Sequence, residues 1–178
     1  QYRLAFEGTA TDGVQVDSLA ITNSPALAAQ AVAEVALLDD PNPAFGIPSV
    51  RAGVDTTLTY DVRVDMGADP GSGFDGLRIA TSAAAEFVKL EFGADLIDIA
   101  PDSVREETDE LLVYFPSNRI TEGRDQRLRV TFRSRLFLFS TEFSGQLLDT
   151  RGSLPQALAE GDASIDVGSN SLRMIFDR

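Results

Sequence analysis

The chain contains no cysteine, no histidine and no tryptophan, and Lys89 is its one lysine. Each absence removes a class of chemistry. Without thiol or imidazole, Ser-His-Asp and Cys-His nucleophilic arrangements cannot be built. Zinc and iron lose their usual sulfur and nitrogen ligands. With no disulfide framework to staple the fold, its hydrophobic core must hold it. A Ser-Lys pair would have to use Lys89, which lies beside Glu91 on the solvent phase of Phe87–Phe92 and reads as a surface lysine. The missing tryptophan leaves Tyr2, Tyr60 and Tyr114 as the amphipathic rings, few platforms for stacking a sugar. No apolar run approaches the ~18–20 residues of a membrane-spanning helix.

What is abundant is acid. Among 178 residues, 28 Asp and Glu face 15 Lys and Arg, a net charge of −13. That opposes attraction to nucleic acid and to anionic lipid, both of which need clustered positive charge. An apolar fraction of 43% is ordinary for a globular chain. The length suits one domain over 1–178, with 51–178 as a core sandwich and 1–50 as an N-terminal extension or sub-part.

The strongest pattern is alternation. In Thr57–Met66, Leu58, Tyr60, Val62, Val64 and Met66 alternate with polar residues, the signature of a strand with one buried face. Arg127–Arg133 repeats it with Leu128, Val130 and Phe132 inward, and Ser171–Asp177 with Leu172, Met174 and Phe176 inward. Shorter β-rich runs are Tyr2–Phe6, Val14–Ile21, Leu77–Ala80, Phe87–Phe92, Leu96–Ile99 and Leu111–Phe115. Leu136–Phe139, apolar at every position, reads as a two-sided strand, and Phe143–Leu148 follows a break at Ser140-Thr141-Glu142. Turn residues punctuate these runs every ten residues or so, which predicts an all-β antiparallel sandwich of eight to eleven strands with at most one short helix. The alanine-rich stretch Ala26–Leu38 is expected as a short helix or loop followed by a strand.

Gly71-Ser72-Gly73-Phe74-Asp75-Gly76 matches G-x-G-x-x-G. A dinucleotide loop needs a helix after the last glycine to hold the pyrophosphate. Here Leu77–Thr81 alternates like another strand, so the motif reads as a connection between strands, with Phe74 packing at the sandwich end. Loop acids suggest calcium instead, since hard cations need converging oxygens. The sets are Asp39, Asp40 and Asn42; Asp69, Ser72 and Asp75; and Asp162, Asp166 and Asn170. None has the spacing of a known calcium loop, and Asp and Asn favour turns in their own right. No other cofactor is expected. A carboxylate pair is the one catalytic inventory left.

Arg127, Arg129, Arg133 and Arg135 share parity and form a row on one face. The row is either a partner-binding patch or one half of cross-strand pairs with acids such as Asp61 and Asp65. Arg127–Arg135 and Ser171–Asp177 are also candidate edge strands for assembly by strand addition.

"TTLTYDVRVD", "GSGFDGLRIAT", "RLRVTFRSRLFLFSTEFSGQLLDT" and "GDASIDVGSNSLRM" resemble the immunoglobulin-like or cohesin-like β-sandwich modules of large secreted or surface bacterial proteins. The likeness covers residues 55–178, and "SLAITNSP" near the N-terminus is similar to a strand of other immunoglobulin-like domains. It implies an extracellular or cell-surface module, structural or adhesive, whose partners are other modules or copies of itself. It carries no catalytic residues. The alternatives are a calcium- or glycan-binding module and, third, a carboxylate-pair hydrolase.

Overall fold

The computed structural model describes residues 13, 15–18, 20, 23–41, 47–68, 73–164 and 168–177. Asp69, Asp166, the strand expected at Tyr2–Phe6 and the Phe176 side chain lie outside them. Residues 15–18 and 20, the described part of the run expected as a strand at Val14–Ile21, carry no strand.

Fourteen strands are present among the described residues: β1 (Gln30–Leu37), β2 (Ser49–Arg51), β3 (Asp55–Asp65), β4 (Gly76–Ala80), β5 (Ala85–Phe92), β6 (Ile97–Ile99), β7 (Ser103–Glu106), β8 (Glu110–Tyr114), β9 (Gln126–Arg135), β10 (Ser140–Glu142), β11 (Gly145–Leu148), β12 (Gln156–Ala157), β13 (Ala159–Glu160) and β14 (Arg173–Asp177). Among the described residues the helical structure is a single 3-10 turn, Pro116–Asn118. Strands beyond the expected eleven are pieces of two to four residues, too short to carry a period in sequence.

A six-stranded sheet, β13-β1-β3-β9-β5-β6, faces a five-stranded sheet, β12-β11-β4-β8-β7, and a small sheet, β10-β14-β2, completes the sandwich. Pairing is antiparallel except β1 with β13 and β14 with β2. The core lies between the layers. Leu58, Tyr60, Val62 and Val64 of β3 and Leu128, Val130 and Phe132 of β9 are buried in the phase that alternation predicts, together with Leu172 and Met174. From the facing side come Leu77, Ile79, Leu111 and Val113, and the rings of Phe92 and Phe115 meet edge to face at 5.1 Å.

Three expectations are corrected and one alternative is decided. Ala26–Leu38 takes the form of a loop followed by a strand: residues 30–37 are strand, paired with β3 along their whole length. Both faces of β1 are buried, so its apolar residues lose the two-residue period and mimic a helical stripe. Leu136–Phe139 is not a strand but the crossing from β9 to β10. Leu136 is buried with its carbonyl held by the Gly53 N–H at 2.8 Å, while Phe137, Leu138 and Phe139 are exposed. Ser140–Glu142, expected as a break, is strand β10 with Thr141 inward. Finally, neither candidate edge is an edge. β9 runs between β3 and β5, and β14 between β10 and β2.

Candidate functional site

The glycine motif ends in strand β4, without a helix. Gly73 sits at φ +140°, a conformation open to glycine. The amides that would cradle a phosphate are already engaged. Gly73 N–H donates to Leu27 O (2.9 Å), Phe74 N–H to Ile120 O (3.0 Å) and Asp75 N–H to Leu148 O (3.0 Å). Phe74 is fully buried in the core.

The cation that meets Asp75 is the guanidinium of Arg119. Its Nη1 donates to Asp75 Oδ2 at 2.8 Å and to Asp149 Oδ1 at 2.6 Å, and its Nη2 donates to Gly73 O at 2.9 Å. Thr150 donates to Asp75 through its N–H and its hydroxyl, each at 2.8 Å. All three charged side chains are buried. Burial works against the Asp149 charge, but the Ser153 hydroxyl, the Arg151 N–H and the Arg119 guanidinium outweigh it and hold that carboxyl down at about 2. This hub ties the glycine connection to the ends of β8 and β11.

Of the other cation candidates, Asp162 is exposed beside a cleft of about 220 Å³ lined by Gln30, Val32, Arg63 and Asp65, with Arg63 Nη1 3.8 Å from its Oδ2. Asn170, at φ +51°, donates its N–H to Glu34 Oε2 at 2.9 Å. Among the described residues no cluster of three acidic side chains is arranged to hold a metal.

The arginine row lies on the outer face of the six-stranded sheet, and each member meets an acid, which strand register supplies for all but Arg127, itself opposite Arg63. Arg129 opposes Asp61 and donates to both its oxygens, at 2.6 and 2.9 Å. Arg135 opposes Asp55, with both bonds at 2.6 Å. Arg133 opposes Glu86, at 3.5 Å. Arg127 reaches Asp125 at 3.2 Å and the Ser164 carbonyl. Asp65 takes no arginine of the row; its Oδ1 accepts the Asp125 N–H at 2.7 Å.

One stretch of this face is sealed. Glu34, Asp61, Arg129 and Glu91 stand opposite one another across β1, β3, β9 and β5. Residues 163–164 and 168–171 lie over the Glu34 end. Val35 N–H donates to Ser171 O at 2.8 Å, Ser169 Oγ to Val35 O at 2.6 Å, and a Cβ on Gly168 would collide with the Glu34 carboxylate. Burial pushes the Glu34 carboxyl above its ordinary 4.5, against the pull of Ser164 and the Asn170 N–H, with the Asp61 charge adding to the rise. Asp61 is likewise pushed up by burial, against its two bonds from Arg129. Glu34 and Asp61 are the facing acids a hydrolase would need. At 0% and 5% exposure they offer no cleft to a substrate.

The opposite end of the same face is open. Asp55, Ala83, Ala84, Ala85, Glu86, Glu106, Arg133, Ser134, Arg135 and Phe137 line a groove of about 510 Å³. Beside it Phe137, Leu138 and Phe139 are 65%, 58% and 58% exposed, and Val54 is 49% exposed. The Phe137 ring lies over Gly53, 3.3 Å from where a Cβ would stand. Sequence reasoning missed this ridge because an unbroken apolar run reads as core. The available signal was the loss of alternation directly after Arg135.

No protein-family model matches the sequence, and a comparison with curated proteins finds no match. Among solved structures, the chain is similar to the pilus backbone protein RrgB of Streptococcus pneumoniae, at 10% identity and a TM-score of 0.43, over 67% of this chain and 52% of that one. It thus spans about half the length of that structure. It is also similar to an uncharacterised protein of Nocardia farcinica described as having an immunoglobulin-like fold, at 9% identity and TM-score 0.43, over 84% of this chain and 99% of that one. A third likeness is to a DUF4466 family protein of Parabacteroides merdae, at 12% identity and TM-score 0.40, over 74% of this chain and 44% of that one. With its two facing, predominantly antiparallel sheets and a core between them, the chain is an all-β sandwich.

Proposed function

We propose that this chain is a non-catalytic structural or interaction module of a secreted or cell-surface protein, joining neighbouring protein modules through the open end of its sandwich. The observation that carries the reading is the ridge of Phe137 and Leu138, large apolar side chains exposed to solvent where the chain crosses between two sheets. Contiguous exposed apolar surface on a well-packed domain marks an interaction site. The acids best placed for catalysis are sealed, which favours binding over turnover. The extracellular setting is supported by the resemblance in strand rhythm to modules of secreted proteins.

The test is a photo-cross-linking amino acid placed at Leu138 and, separately, at Ile97, an exposed apolar residue of β6. In intact producing cells, the Leu138 probe should yield one defined adduct with a neighbouring protein, accessible to protease added outside, and the Ile97 probe none. Equal adducts from both positions, or none from Leu138, would overturn the reading.

A further inference from the structure

We propose that the first half of β5 is a docking line for an extended, basic segment of a partner protein, which adds to the six-stranded sheet as a further strand beside residues 85–88. This rests on the interaction-module reading and gives it a mode of contact.

The backbone argument comes first. β9 flanks β5 from Ala85 to Phe92, but β6 pairs with Leu90–Phe92 alone. Among the described residues, 85–88 therefore have a strand on one side. Phe87 N–H, which a neighbouring strand would engage, is instead bound by the Glu106 carboxylate at 2.8 Å. The ladder with β9 slips between Phe87 and Lys89, and Val88 is left 40% exposed. An open edge of this kind is satisfied by extended backbone, not by a helix or a sugar.

The side-chain environment selects among extended partners. The apolar residues Ala83, Ala84, Ala85 and Phe137 are among those lining the groove, which suits the alternate apolar side chains of an added strand. Its rim acids Asp55 and Glu86 are paired with Arg135 and Arg133, whereas Glu106 has no cationic partner among the described residues. A lysine or arginine on the incoming strand would pair with it. The chain's net charge of −13 favours a basic partner over a second copy of itself.

The experiment uses the full chain and two synthetic octapeptides, one alternating lysine and valine, the other glutamate and valine, with amide hydrogen exchange as the readout. The lysine peptide should slow exchange at residues 85–88 by roughly fivefold or more, and salt should weaken the effect. The glutamate peptide should leave these amides unchanged. Glu106→Gln, which can still accept from Phe87 N–H, should weaken the lysine peptide by about threefold. Phe137→Ala, at an exposed position, should weaken the salt-insensitive part of its binding and leave the salt-sensitive part unchanged. Equal protection by both peptides, protection at other strands, or none at 85–88 would overturn the proposal. So would protection of 85–88 at high protein concentration without peptide, which would assign the edge to a second copy. Peptide failure with the Leu138 cross-link intact would sink strand addition alone. Peptide protection with the Leu138 cross-link absent would sink assembly through the ridge alone.

Discussion

Arg129 and Arg135 lie on the same strand, on the same face, each opposite an aspartate of β3 and each donating two hydrogen bonds to it. Their surroundings differ. Asp61 beside Arg129 is buried, with Glu34 on its other side and Glu91 beyond Arg129; Asp55 beside Arg135 is open to water. The difference comes from elsewhere in the chain: residues 163–164 and 168–171 cross one end of the sheet and leave the other bare. Identical local geometry therefore has two meanings. In the sealed region, removing one partner leaves a desolvated charge. In the open region, water replaces the partner and the pair contributes little.

The sharpest break should come from the buried cations. Arg129→Ala would leave the buried Asp61 without its paired cation, and Arg119→Ala would do the same to Asp75 and Asp149. Each is expected to lose about 3–5 kcal/mol of stability in urea unfolding. If either behaves like an exposed pair, the seal inferred around it is wrong.

Next come two pH effects of opposite sign. Glu34 has its folded value raised above 4.5, so folding favours its protonated form. Its contribution is full below the unfolded value and is lost as pH rises through the folded one. Glu34→Gln should therefore be more stable than the parent at about pH 7–8, and the advantage should shrink as pH falls. Asp149, held at about 2, behaves in reverse. Its contribution is present above its ordinary 3.8 and is lost as pH falls toward about 2, so Asp149→Asn should destabilise at neutral pH and flatten the acid limb. Thermal midpoints against pH separate the two. An advantage of Glu34→Gln that grows on acidification would contradict the first. The smallest effect belongs to the open region, where Arg135→Ala should leave the thermal midpoint unchanged within error.

The same comparison explains what could be read from sequence. β3 and β9 are legible because one face meets the core and the other carries charge, so residue type alternates. β1 is legible in part, its start blurred by a helix-like stripe, because the crossing segment buries its second face and removes the contrast on which periodicity depends. The alternation of Arg127, Arg129, Arg133 and Arg135 placed them on one face, and the pairing with Asp61 followed. Which of them would be buried did not, since that depends on a segment distant in sequence. Asp75 stood out as an acid in a turn, but Arg119 and Asp149, which complete its surroundings, are linked to it by no local pattern. Phe137 and Leu138 were read as core for a related reason. Their exposure arises where the chain changes sheets, and a four-residue apolar run does not record that.

The central claim is that the bare end of the sandwich is kept for a partner and adds nothing to folding. Sedimentation velocity of the purified chain mixed with the neighbour identified by cross-linking tests it directly, using the parent and Leu138→Asp at equal concentration. The parent should form a faster-sedimenting complex, and Leu138→Asp should sediment as free protein while keeping the parent's thermal midpoint. Equal complex formation by both proteins, or loss of association accompanied by loss of the fold, would contradict the claim.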